Sequence, residues 1–168
     1  VDPSNDTISF GSVTNFSNTD VSYVNATFVS NSNKVVIAYR DNSNNHGTAI
    51  VGTVSGTAIS FPNSATVFNN ANTEMNEGKT ICFDSNSNKV VIPFLSSTGK
   101  AIVGTVSGNT INFNGTATAF SGGDNSSQSS TFDSTLNRVI VQWRDNFNNS
   151  YGTASSGTVS GDSITFDT

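Results

Sequence analysis

The chain is poor in charge. Only 11% of its 168 residues are Asp, Glu, Lys or Arg, and seven scattered cations stand against twelve anions. Phosphate recognition needs clustered cations, so nucleic acid is not an expected partner. The single cysteine, Cys82, excludes an internal disulfide framework. It lies in an apolar stretch, where a free cysteine acts as a small buried hydrophobe. The single histidine, His46, falls in a polar turn and leaves no Ser-His-Asp or Cys-His pairing to build. No apolar run is long enough for a bilayer-spanning helix, so no membrane is an expected partner. Zinc-type ligand spacing is absent, and no cofactor or metal is expected. The opening Val1-Asp2-Pro3-Ser4 reads neither as a signal peptide nor as a natural start, and suggests a chain processed or cut from something longer.

What the chain does hold is Asn, Ser, Thr and Gly interleaved with Val, Ile and twelve Phe. β-Branched and aromatic residues set among polar turn formers argue for short strands, not disorder. The pattern is also periodic. Gly47 to Gly56 reads GTAIVGTVSG, Lys100 to Gly108 reads KAIVGTVSG, and Gly152 to Gly161 reads GTASSGTVSG. Ser-Gly recurs at 55, 107 and 160, a period of 52–53 residues. A fixed period of this size marks a repeat architecture.

Each repeat reads as four short strands with a turn signal every 8–12 residues or so. In the first repeat these are Asn25–Val29, Lys34–Arg40, Thr48–Val54 and Thr57–Phe61. The second gives Thr80–Phe83, Lys89–Leu95, Lys100–Val106 and Thr110–Phe113. The third gives Ser130–Phe132, Arg138–Arg144, Tyr151–Val159 and Ser163–Phe166. The two central strands are apolar on both faces, as in a sheet covered on both sides. A small inner strand, a doubly buried middle and a short outer strand describe a β-propeller blade. The expected fold is therefore all-β, with three four-stranded antiparallel blades in one repeat domain. The repeats run over about 11–61, 62–113 and 114–168, and a β-sandwich is the alternative. Pro93 removes a ladder donor from an inner strand and predicts a bulge. Phe16, Phe68 and Phe120 fall at one position of the connecting segments and are expected between neighbouring blades.

Thr7-Ile8-Ser9-Phe10 matches the fourth strands and predicts an orphan strand at the N-terminus. Three blades do not readily close a ring, since propellers carry about four to eight. Two routes to closure follow: a homo-oligomer, with two chains forming a six-bladed ring, or further blades of a longer parent chain.

Asn33-Lys34-Val35-Val36-Ile37-Ala38-Tyr39-Arg40-Asp41, followed by Gly47 to Phe61, resembles repeats of large structural, tail-fibre-like proteins of marine bacteriophages and related marine metagenomic sequences. The resemblance covers nearly the whole chain. The second repeat departs at Pro93 and Leu95-Ser96, the third at Ser155-Ser156. It implies a structural or adhesion module of a virion or cell surface, extracellular, and carries over no catalytic residue.

The most pointed polar features are Tyr39-Arg40-Asp41 and Trp143-Arg144-Asp145. An aromatic face beside Arg, Asp and Asn suits a sugar, with the ring against C–H faces and the polar groups on hydroxyls. These six residues are the candidate ligand-binding set of a multivalent lectin with a surface glycan as partner. The plainer alternative is an Arg-Asp pair that finishes a strand and holds a turn. Asp84-Ser85-Asn86-Ser87-Asn88 imitates half a calcium loop but lacks its glycine and distal glutamate, and reads as a hairpin turn. Paired carboxylates would suit glycoside hydrolysis, but the only glutamates, Glu74 and Glu77, share one connection. No Ser-x-Asp-x-Gly-x-x-Trp box occurs, so a hydrolase fragment is a remote alternative and no enzyme is expected. Asn25 and Asn114 head Asn-x-Ser/Thr sequons, which arise by chance in so Asn- and Thr-rich a chain.

Overall fold

The computed structural model describes residues 7–76 and 79–167. Among them there is no helix. The strands, in chain order, are β1 (Val21–Val29), β2 (Lys34–Asp41), β3 (His46–Ser55), β4 (Ala58–Ser60) and β5 (Thr66–Asn72). There follow β6 (Cys82–Asp84), β7 (Lys89–Ser96), β8 (Thr98–Ser107), β9 (Thr110–Asn112) and β10 (Thr118–Ala119). The last are β11 (Asn125–Asp133), β12 (Arg138–Asp145), β13 (Tyr151–Ser160) and β14 (Ser163–Phe166). They form three antiparallel sheets of five, five and four strands. Each sheet is built on a four-stranded meander of its own repeat, and the first and second sheets gain a fifth strand, β5 or β10, from the segment leading into the next repeat.

The turns explain the meander. Asn33, Asn88 and Asn137 precede the second strand of each repeat at φ 54°, 59° and 55°. Asparagine is the side-chain-bearing residue that best tolerates this left-handed conformation. Gly56, Gly108 and Gly161 close the hairpin between the third and fourth strands of each repeat at φ 57–59°, where any Cβ would be strained.

The sheets stack face to face. Val36, Ala38, Ala49 and Val51 of the first sheet share a core with Val90, Ile92, Phe94 and Ile102 of the second. The other face of the second sheet, with Val91, Ala101 and Val103, shares a second core with Val139, Val141 and Trp143 of the third. Alternate residues of β7 therefore face opposite neighbours, which explains its unbroken apolar run.

Each connection supplies an aromatic wedge. Phe68 packs 5.4 Å from Phe94 and 5.7 Å from Phe113, ring centre to ring centre. Phe120 lies 5.1 Å from Trp143 and 5.8 Å from Phe166, and Phe16 lies 5.2 Å from Tyr39 and 6.1 Å from Phe61. On its other side the wedge rests on a glycine of the preceding sheet. A Cβ at Gly47 would stand 2.4 Å from Phe68, and one at Gly99 would stand 2.5 Å from Phe120.

Three expectations need correction. Ile8–Phe10 lie in no strand, and Phe10 is 85% exposed. The edges such a strand would need are already taken by β4, β9 and β14 on the three third strands. Second, Pro93 makes no bulge: β7 and β8 stay in register from Val90↔Gly104 through Pro93↔Ala101 to Ser96↔Thr98. The missing N–H instead truncates the inner strand. β6 ends its pairing at Cys82↔Val91, and the ladder resumes only where Glu74 and Leu95 exchange backbone bonds of 2.9 and 2.8 Å. Bulges occur where no proline stands, between Ser22 and Asn25 and between Ser126 and Ser129, at the positive φ of Tyr23 and Ser127. Third, only the third sheet is four-stranded, because the connections add a fifth strand to the first and second. β5 pairs with the front half of β3 and β10 with that of β8, beside the short β4 and β9. The first-residue reading at Val1 to Ser4 lies outside the described residues.

The packing predicts a graded glycine series. A Cβ at Gly104 would meet the Phe113 ring at 2.7 Å and Ile111 at 2.8 Å, whereas one at Gly122 meets nothing within 4 Å. Gly104→Ala should lose about 1–3 kcal/mol in urea unfolding, the usual cost of overpacking. Gly122→Ala should stay within about 0.5 kcal/mol of wild type, as open surface sites do.

Candidate functional site

The two aromatic-Arg-Asp triplets lie at the same end of β2 and β12, but in the first and third sheets. They do not form one site. In the first, Tyr39 is 3% exposed and faces Phe16, so its ring belongs to the wedge cluster. Burial, more than the nearby Asp41 charge, raises its hydroxyl pKa. Arg40 lies over the Tyr23 ring at 4.7 Å and donates through Nε to Asn42 Oδ1 at 2.9 Å. Asp41 Oδ1 accepts from the Ser43 backbone N–H at 3.0 Å and from its hydroxyl at 2.7 Å. These Ser43 bonds hold the Asp41 carboxyl below the usual carboxylate range.

The second triplet is more open. Trp143 is 7% exposed, and its Nε1 is buried with no hydrogen-bond partner in the protein. Asp145 Oδ1 closes its turn on the Phe147 and Asn148 N–H groups at 3.1 and 3.2 Å. Arg144 is exposed. With Ser127, Gln142, Trp143, Gly152 and Thr153 it lines an open cleft of about 420 Å³.

The remaining sequence candidates resolve locally. Asp84 Oδ1 accepts from the Asn86 and Ser87 N–H groups at 2.9 and 3.0 Å and closes the β6–β7 hairpin. Asp133 does the same for Thr135 and Leu136 at 2.9 and 3.2 Å. His46 opens β3 opposite Asp41. Glu74 sits at the bridge to Leu95, and Glu77 lies outside the described residues. Cys82 is buried in the second core, and desolvation pushes its thiol pKa up to about 11. The Asn25 sequon is 2% exposed and spent inside the protein, which leaves no acceptor for a glycan.

Sequence reading missed a buried polar seam along the inner strands. Asn25 Nδ2 donates to the Asn76 carbonyl at 2.6 Å, and its Oδ1 accepts from the Thr80 N–H at 2.8 Å. Ser130 Oγ donates to the Thr80 carbonyl at 2.7 Å, and Gln128 Nε2 bonds Asn125 Oδ1. The seam ties β1, the segment before β6, and β11 together. Its members are scattered singly along the chain, and only the sheet stacking brings them together.

Compared with protein families, curated proteins and solved structures, the chain matches none.

One consequence concerns acid. Asp162 is held low first by its Lys89 hydrogen bond, in a 2.8 Å ion pair, and Asp41 by Ser43. A depressed folded pKa stabilises the fold above the unfolded value, about 3.9 for Asp. That contribution is lost as pH falls on through the depressed value. Asp162→Asn and Asp41→Asn should therefore weaken the fold at pH 7, and the difference from wild type should shrink below about pH 4. Urea midpoints across pH test this, and a difference that ignores pH contradicts it.

Proposed function

We propose that the chain is a non-catalytic structural and recognition module, displayed outside the cell on a virion or a cell surface. The observation that carries this reading is how the acidic side chains are used. Asp41, Asp84, Asp133 and Asp145 each spend an oxygen on backbone N–H groups two or three residues ahead. Such carboxylates build turns rather than move protons. General acid–base chemistry needs a carboxyl or imidazole free to reach a substrate atom. The product of this investment is a rigid stack whose ends carry Asn- and Ser-rich turns. The resemblance to tail-fibre-like repeats agrees with that role.

A second reading, a carbohydrate-binding module, is favoured by one observation. The cleft beside Trp143 and Arg144 is open and mixes polar with apolar lining. Only the third sheet presents it. The first sheet's equivalent arginine lies over Tyr23, and the second sheet has Leu95 in that place.

A glycan panel with parallel hydrolysis assays separates the readings. The structural module should neither bind with specificity nor turn over any glycan. Binding that disappears in Arg144→Ala, with the circular-dichroism spectrum unchanged, would establish the lectin instead. Hydrolysis lost in Glu74→Gln would overturn both.

A further inference from the structure

The two ends of the stack are complementary to each other. At the front of the first sheet, Val35 and Ile37 are only half-buried. Their counterparts Val90 and Ile92, and Val139 and Val141, are 0–1% exposed because a preceding sheet covers them. At the back of the third sheet the converse holds. Ile140, Gln142, Ala154 and Ser156 occupy the face that Val36, Ala38, Ala49 and Val51 bury in the first sheet, and no further sheet lies on it among the described residues, where the Ser156 hydroxyl bonds Asp167 at its own sheet's end and Gln142 bonds Ser129.

The edge strands carry the same complementarity. Thr48 and Ala49 pair with Val67 and Thr66 of β5, and Lys100 and Ala101 pair with Ala119 and Thr118 of β10. The equivalent Thr153 and Ala154 of β13 pair on one side only, with β12. The equivalent of β5 and β10 is Thr14-Asn15-Phe16, which lies in no strand. Gly152, the counterpart of the glycines under Phe68 and Phe120, has open space where a Cβ would stand. A third series agrees. Lys34 reaches the turn of the next sheet at Asn109 Oδ1, 2.8 Å away, and Lys89 reaches Asp162 Oδ1 at 2.8 Å. Arg138, with no further sheet to reach, bonds Asp167 of its own sheet at 3.0 Å.

We propose that the back of the third sheet docks on the front of the first sheet of a second copy of this chain. Thr14–Phe16 of that copy adds a strand to β13, with Asn15 opposite Thr153 and Thr14 opposite Ala154. Its Phe16 covers Gly152, and its Thr57 turn meets Arg138. Two copies make the contact twice and close a ring of six sheets. The occupant is a second copy because the missing strand and the missing edge are both present, unpaired, on one chain. The packing that would join them is the one already used between the first and second and between the second and third sheets. Gln142 and Ser156 make this face more polar than its internal counterparts, as suits a surface that meets water before it assembles. The proposal stands on packing; a docked Thr14–Phe16 fills the cleft lined by Trp143, Gly152 and Thr153, so it competes with the carbohydrate-binding reading and leaves the structural one intact.

Light scattering on a size-exclusion column across a dilution series tests it. The expected result is twice the chain mass, falling to one chain mass in Gly152→Val, whose side chain has room within a single chain but not under a docked Phe16. A wild type that stays at one chain mass, or forms an open-ended series of larger masses, overturns the proposal. So does a folded Gly152→Val that keeps the doubled mass. If that variant does not fold, Asn15→Cys and Thr153→Cys proteins mixed under oxidation decide. A disulfide joining the two different chains is expected, and its absence overturns the register.

Discussion

Phe68 is held from three sides at once. Gly47 of the first sheet lies beneath it, and Phe94 and Phe113 of the second close over it. Its own backbone belongs to β5, a strand of the first sheet. One residue thus couples the edge of one sheet to the face of the next. Phe120 repeats the arrangement between the second and third sheets. A chain with few charges and modest sheets has little else to fix the stacking order. The sheets slide freely in principle, since small aliphatic side chains pack in many registers. The wedge removes that freedom, because only a glycine lets the ring approach so closely.

From this constraint the rest follows in order. The wedge sets the spacing at which Val36 and Ala38 meet Ile92 and Phe94. The same spacing brings Lys34 to Asn109 and Lys89 to Asp162, so the cation that opens the second strand of the first and second sheets bonds the next sheet's turn. At the inner strands it brings Asn25, Thr80 and Ser130 within hydrogen-bonding reach. Surface ion pairs of this kind contribute little singly. Their value here is directional, since they pin a stack that the cores alone leave free to slip.

Much of the architecture was legible because it is written three times. Strand order, hairpin positions and the aromatic near the end of each second strand all repeat in sequence and in space. The wedge was legible for the same reason, through Phe16, Phe68 and Phe120. What escaped were features that depend on what a segment meets. The strand character of Thr66–Asn72 is weak in its own residues, four of which are Asn or Ala, and comes from the free edge of β3. The orphan strand failed for the opposite reason: Ile8–Phe10 has the right alternation, but the edges beside the third strands are already held by β4, β9 and β14. Pro93 was correctly seen as a missing donor, but the consequence fell on its partner strand instead of its own. In the candidate site, the choice of Arg40 and Arg144 placed equivalent residues together. Their environments differ because Tyr23 lies under one and an open cleft beside the other.

The central claim is that the connecting aromatic, more than the sheets' own apolar faces, locks the stack. Urea unfolding of Phe68→Ala, followed by Trp143 fluorescence and by far-ultraviolet circular dichroism, tests it most directly. The account predicts a loss of about 3–5 kcal/mol, the cost of emptying a fully packed phenylalanine site. It also predicts that Trp143, in the distant third sheet, reports the same weakened transition, because the sheets stand or fall together. A loss below about 1 kcal/mol, the range of replacements away from packed sites, or an unchanged transition at Trp143, would contradict it.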